Sequence, residues 1–305
     1  MDAIKIISQN VGQTVSLILE RAGKEKLKTA KEIRLSVNKP IRIVYPDGSK
    51  FIGRDGRICN ANSDADSLSR QDIKDAFAAL CKYSVHTYQK NICEGFITIE
   101  GGIRVGICGT AIYDGGKIVN IKDISSLNIR IVREIKGAAD SIFKKTGRIC
   151  GKGILIAGPP CSGKTTLLRD IARTVGNEGK NVCIVDERME IAGVFQGAPS
   201  FDIGECTAVL NGFYKSDGII IGVRSMAPDV IICDEFGGEN EIEASLYAMK
   251  GGTAVIASMH CLDLEDLRSK TEFKTLAEKG VFEWVILTKR SCEIESIMRV
   301  GEILK

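Results

Sequence analysis

The second half of the chain predicts an α/β domain built on a largely parallel sheet, and the first half a smaller α+β domain. Three observations carry this expectation. Strand-like runs at 153–157, 181–186 and 229–234, the last two apolar between polar end residues, are separated by helical or irregular segments, the pattern of strands buried on both faces. A glycine-rich stretch, Gly158-Pro159-Pro160-Cys161-Ser162-Gly163-Lys164-Thr165-Thr166, follows the first of these runs and leads into a helix-like segment at 166–174. The first half instead shows alternating runs broken by Gly101-Gly102 and Gly115-Gly116, as an antiparallel meander requires.

Apolar residues at 11, 15, 18 and 19 fall at helical spacing, with Gly23 placed to end an opening helix. Runs at 32–37 and 41–45, joined through Pro40 and followed by Pro46-Asp47-Gly48, read as a hairpin. The polar stretch 60–69 reads as a loop, and Ser69 can cap a helix carrying Ile73, Phe77 and Leu80 on one face. Strands return at 96–99, 103–112 and 118–121. Beyond the glycine-rich loop, short strands are expected at 254–258 and 283–288, with 294–300 closing the sheet edge. The composition shift places a domain boundary near Thr146-Gly147-Arg148, giving domains 1–146 and 147–305.

A chain of 305 residues exceeds what one hydrophobic core usually serves, which agrees with two domains. A net charge of +3 with no polybasic run argues against nucleic acid as a partner. The eleven cysteines are odd in number and never spaced Cys-x-x-Cys, and the only histidines are His86 and His260. A disulfide framework and a zinc site are therefore not expected, and the thiols should be reduced and mostly buried. Residues 1–10 lack the features of a signal peptide, and the apolar run 218–223 is far short of the ~20 residues that span a bilayer. A cytoplasmic or membrane-peripheral protein with no direct membrane span is expected.

Gly158, Gly163, Lys164 and Thr165 satisfy the pattern Gly-x-x-x-x-Gly-Lys-Thr. Glycines let the backbone curl so that successive N–H groups and a helix N-terminus face phosphate oxygens, while a lysine neutralises the terminal phosphates. Residues 158–166 are thus the candidate ATP-binding loop of a RecA-like P-loop NTPase core. Thr165 and Asp234 are the candidate Mg²⁺ ligands. Asp234 and Glu235 end the run Val230-Ile231-Ile232-Cys233, where a buried strand meets a ligand crevice, and Glu235 is placed to polarise water. Asp186, Glu187, Arg188 and Glu190 form a second acidic strand end, which could equally be a solvated loop. His260 ends another strand and could report the terminal phosphate or be a structural histidine. Arg104, Arg130 and Arg133 lie on β-like segments, where a solvated sheet face competes with a role at a neighbouring subunit's phosphate.

In order along the chain, residues 95–109 around Gly101-Gly102-Ile103-Arg104, 124–134 around Arg130-Ile131-Val132-Arg133, 158–166, 186–191 and 224–235 resemble the stage III sporulation protein AA family. Its members are relatives of type II secretion and type IV pilus ATPases. The resemblance covers most of the chain and implies a PAS-like first domain, a homo-oligomeric, hexameric ring, and ATP with Mg²⁺. It assigns Asp186, Glu187 and Glu190 to an acidic box with Glu190 a catalytic carboxylate, His260 to a histidine box, and Arg104, Arg130 and Arg133 to a subunit interface. It also implies a membrane-embedded channel or secretion partner between mother cell and forespore, with the motor on the mother-cell side. Two places depart from the family's pattern: Phe201-Asp202-Ile203-Gly204 before Glu205, where Arg-Thr-Asp is usual, and Ile103, where a histidine is usual.

The leading expectation is a Mg²⁺-dependent ATP-hydrolysing motor, in which Lys164 positions phosphates and Glu235 or Glu190 directs water. A nucleotide-dependent interaction switch with little hydrolysis is the alternative. A nucleic-acid translocase is a third reading, opposed by the lack of a basic stripe.

Overall fold

The computed structural model describes residues 3–60, 65–147, 153–290 and 293–304. The chain divides into two compact units, Met1–Arg133 and Glu134–Lys305.

Unit 1 contains α1 (Ala3–Asn10), α2 (Gln13–Ala22), α3 (Lys24–Leu27), β1 (Glu32–Ser36), β2 (Ile41–Tyr45), β3 (Gly48–Ile52), β4 (Ile58–Cys59), α4 (Arg70–Leu80), α5 (Gln89–Cys93), β5 (Phe96–Ile99), β6 (Ile103–Asp114) and β7 (Lys117–Arg130). Among the described residues its strands form one sheet in the order β4-β3-β2-β1-β7-β6-β5, with every neighbouring pair antiparallel. Alternate residues such as Ile33, Leu35, Ile41, Ile43, Val105, Leu127 and Ile129 enter a core shared with Ile7, Val15, Leu19 and Ile73 of the helices. This half is α+β, as its alternating pattern predicts. Gly23 ends α2, and Ser69 caps α4 in a capping box closed by Asp72.

Three elements differ from expectation. The strand expected at 118–121 continues to Arg130, because its inner half pairs with β6 on one side and β1 on the other. Helix α1 is an addition to the expected elements, and its Ile4 and Ile7 bury against the core. The turn at Pro46-Asp47 leads into a third strand, β3, an addition to the expected hairpin.

Unit 2 contains α6 (Asp140–Thr146), β8 (Gly153–Gly158), α7 (Lys164–Asn177), β9 (Val182–Asp186), β10 (Thr207–Asn211), α8 (Lys215–Met226), β11 (Val230–Cys233), α9 (Glu239–Lys250), β12 (Ala254–His260), α10 (Leu264–Ser269), α11 (Thr271–Glu278), β13 (Phe282–Thr288), β14 (Ile294–Arg299) and α12 (Val300–Ile303). Its sheet runs β10-β9-β11-β12-β8-β13-β14, parallel throughout except for the antiparallel edge strand β14. Every residue of β8, β9 and β11 is buried, which explains why these segments read as largely apolar runs. Period-two alternation divides them between two cores. Leu155, Cys183, Val185 and Ile231 face one side of the sheet, and Ile154, Ile156, Ile184 and Ile232 face the other, where they meet Leu168 and Ile171 of α7.

The division falls after Arg133 rather than near residue 147, and Arg148 of the expected boundary lies outside the described residues, as do 61–64 of the expected polar loop. The physical reason is α6. Its Ile142, with Ala139, joins the core of unit 2, and the amides of Gly137 and Ala139 donate to the Asp170 carboxylate on α7. The cysteines also depart in part from expectation. Cys59, Cys81, Cys93, Cys108, Cys161, Cys183, Cys206, Cys233 and Cys261 are free thiols, but Cys108, Cys161 and Cys206 are exposed. Cys150 and Cys292 lie outside the described residues.

Candidate functional site

Parallel pairing fixes where the site forms. Cys233 sits in register with Val185 and with Ala257, and His260 with Gly158. The carboxyl ends of β9, β11, β12 and β8 therefore deliver Asp186, Asp234-Glu235, His260 and the glycine-rich loop to one edge of the sheet, where α/β folds bind ligands.

The loop has the shape its residues demand. Gly163 takes a left-handed conformation at φ 85° as the N-cap of α7, and Cys161 is held at φ 61°. Gly158 packs so tightly on Thr288 that a β-carbon would collide with it. Ser162 Oγ lies 2.7 Å from Thr288 Oγ1, which anchors the loop to β13. Thr165 and Thr166 open α7, just past the buried Lys164. Lys164 Nζ donates to Gly158 O at 2.9 Å and Pro159 O at 2.8 Å and lies 3.1 Å from His260 Nδ1. Burial depresses its pKa below the ordinary lysine value.

Asp234 is 2% exposed, and its Oδ1 is buried with no hydrogen-bond partner among the described residues. Burial, reinforced by the negative charge of Asp186, pushes its carboxyl up to about 7, against the pull of Lys215. Glu235 stands beside it at φ 44°, its amide donating to Ser258 Oγ at 3.0 Å. Burial would raise the Glu235 pKa, but the hydrogen bond from His260 and the charge of Arg188 hold it below the usual glutamate value.

The Asp186 carboxylate faces inward and accepts from the amides of Glu190, Ile191 and Ala192 at 2.9, 3.2 and 2.8 Å. Burial raises its pKa and these amides lower it. From the other side, Arg169 of α7 donates to Ile191 O at 2.6 Å and Glu190 O at 2.7 Å, with its guanidinium over the Phe201 ring at 3.9 Å. Burial brings that guanidinium down to about 10. The segment bearing Glu190 is thus clamped between an acid and a base, and the negative charge of Glu190 contributes to raising Asp234. Phe201, at the place of the sequence departure, is the platform for Arg169.

Lys164, Asp234, Glu235, Glu190 and His260 come together. The arginines of unit 1 have other surroundings. Arg133 donates to Lys28 O and Ala30 O, both at 2.6 Å, and so secures the backbone between α3 and β1. Arg104 lies over the Phe96 ring at 3.7 Å and is in register with Arg130, which is exposed at the end of β7 and is itself in register with Glu32.

Sequence reasoning missed two cations. Arg169 lies among the core-facing residues of α7, and a charge at such a position signals a buried partner. Lys215, 7% exposed, bridges Glu187 at 3.0 Å and Glu241 at 3.5 Å. Burial opposes its charge, yet these carboxylates raise its pKa. Its partners are remote in the chain, so no local pattern marks it.

A magnesium–nucleotide complex fits this donor set. Mg²⁺ is usually held by one or two protein oxygens plus substrate phosphates, and the described residues form no cluster of three or more acidic, histidine or cysteine ligands that would hold a metal unaided. Asp234 Oδ1 supplies the unsatisfied buried oxygen that a cation would complete. A cavity of about 630 Å³ lies at the opposite edge, where Gly153, Ala254 and Phe282 begin their strands, and it contains none of the groups described above. No helix among the described residues is long and apolar enough to cross a membrane.

The family model for Sporulation stage III, protein AA matches residues 2–301. Stage III sporulation protein AA of Bacillus subtilis (strain 168) is 34% identical over 257 residues, which cover 83% of this chain and 80% of that protein. Among solved structures, the Legionella pneumophila ATPase DotB matches with a TM-score of 0.56 at 19% identity, over 88% of this chain and 74% of that one. The pilus retraction motor PilT, solved with bound ADP, matches with a TM-score of 0.56 at 17% identity, over 87% of this chain and 76% of that one. These likenesses bear out the RecA-like fold expected for the second half.

Proposed function

The chain belongs to the stage III sporulation protein AA family, and from that premise we propose that it is a Mg²⁺-dependent ATP-hydrolysing motor acting in endospore formation. The observation that carries the reading is the convergence, at one sheet edge, of the curled loop with buried Lys164, an Asp234 Oδ1 that has no hydrogen-bond partner among the described residues, and the Glu235–His260 pair.

Residues 158–166 would cradle the triphosphate with main-chain N–H groups, and Lys164 would exchange its carbonyl partners for phosphate oxygens. Thr165 and Asp234 would hold Mg²⁺, which neutralises the charge that develops during phosphoryl transfer. Glu235 or Glu190 would orient water, with Asp186 and Arg169 keeping Glu190 in place. Like the secretion and pilus ATPases that it resembles, the chain would work as a hexameric ring on a membrane-embedded partner, on the mother-cell side of the forespore membrane. Arg104 and Arg130 would complete a neighbour's site, whereas Arg133 already holds unit 1 carbonyls and is assigned there to folding.

The switch reading draws on one feature. Both carboxylate oxygens of Glu235 are engaged, by His260 and by Arg188, which favours slow turnover. Phosphate release by the purified protein with Mg-ATP distinguishes the two readings. Turnover that disappears in Lys164→Ala supports the motor, and nucleotide uptake without turnover supports the switch.

A further inference from the structure

Arg188 sits just beyond β9, half exposed, with its guanidinium paired to Glu235 Oε2 across the neighbouring strand end. The adjacent acid, Glu187, is engaged by Lys215 and does not compete for it. Glu235 Oε1 faces His260 Nε2 at 3.0 Å, and His260 Nδ1 faces Lys164 Nζ at 3.1 Å. A lysine ammonium can only donate, so Nδ1 accepts, the imidazole proton lies on Nε2, and Nε2 donates to Glu235. The result is a continuous line, Lys164–His260–Glu235–Arg188, with a donor facing an acceptor at each step. Glu235 is further fixed by its left-handed backbone and by Ser258.

We infer that Arg188 is a positioning residue that latches Glu235, and that this latch is coupled through His260 to whatever Lys164 binds. The inference rests on the hydrolytic reading above. A carboxylate held at both oxygens by N–H donors is fixed in position, with its oxygens already engaged where a water would have to dock. Phosphate drawn onto Lys164 competes with His260 for the ammonium and loosens one end of the line. Arg188 then remains the hold on Glu235, and its release sets how readily the carboxylate reaches water. Arg188 thereby limits turnover without touching substrate.

Steady-state phosphate release with Mg-ATP, alongside binding of a fluorescent ATP analogue, tests this in the full chain. Arg188→Gln is expected to raise kcat about threefold to tenfold with KM unchanged, because a carboxylate released at Oε2 is free to turn and accept from water. Arg188→Lys, which keeps a cation, should stay near wild type, and Glu235→Gln in the same chain should abolish the gain. A kcat at or below wild type in Arg188→Gln, with analogue binding intact, overturns the latch while leaving the hydrolytic reading standing. A wild-type chain that binds no analogue overturns both.

Discussion

The two units place their charges differently. In unit 1, charged side chains close backbone turns and caps: Asp72 completes the α4 capping box and pairs with Arg54, and Arg133 holds the carbonyls of Lys28 and Ala30. In unit 2, Lys164, Arg169, Asp170, Asp186, Lys215 and Asp234 are all buried, and among the described residues unit 1 buries only Asp72 to a similar degree. Burying charge costs several kcal/mol per ion unless partners compensate, so a fold that collects buried charges at one sheet edge is stabilised elsewhere. The flanking strands supply that stability, with cores on both faces of the sheet. The contrast teaches that charge braces the backbone at the surface of unit 1, whereas unit 2 buries it, bracing the backbone through Asp170, Asp186 and Arg169 and concentrating Lys164 and Asp234 at the candidate site.

The comparison is sharpened most strongly by Lys164→Ala, which should lower phosphate release by about 100-fold or more while leaving thermal unfolding largely unchanged. Persisting turnover would remove the assignment of the loop. Asp234→Asn should abolish turnover yet stabilise the protein. The folded carboxyl titrates near 7, above its unfolded value, so the stability it contributes is complete below about pH 4 and is lost as pH rises through 7. Denaturant melts at pH 8 should therefore favour the variant, by at most about 4 kcal/mol, and the two proteins should converge below pH 4. A variant less stable at pH 8 would show that the buried charge is compensated after all.

Arg169→Ala should destabilise unit 2 by roughly 2–3 kcal/mol, because it strands the carbonyls of Ile191 and Glu190 and removes the positive charge beside Asp186. Arg133→Ala should cost about 1–2 kcal/mol and leave turnover per folded chain intact. If turnover instead collapsed at unchanged stability, Arg133 would belong to a neighbour's site and the contrast between the units would break. Ser69→Ala, which removes the α4 cap, is the smallest effect, about 1 kcal/mol in thermal or denaturant melts.

Much of the fold is legible in the amino-acid order. The buried strands β8, β9, β11 and β12, the loop at 158–166 and the Ser69 cap depend on residues adjacent in the chain, and period-two or 3.6 patterns record them directly. Strand ends carrying Asp186, Asp234, Glu235 and His260 are also visible there, since an apolar run that stops at an acid or imidazole marks the rim of a sheet. The ownership of α6 is not legible, because it turns on Asp170, which is distant in sequence. Nor are the clamp of Arg169 on the Glu190 segment, the bridge of Lys215 from Glu187 to Glu241, or the pairing of Arg188 with Glu235. By itself, then, the sequence determined the elements and the chemistry at their tips. Only the tertiary structure decided which tips meet, because β9 pairs with β11 and β12 with β8 through crossovers whose order no local pattern encodes.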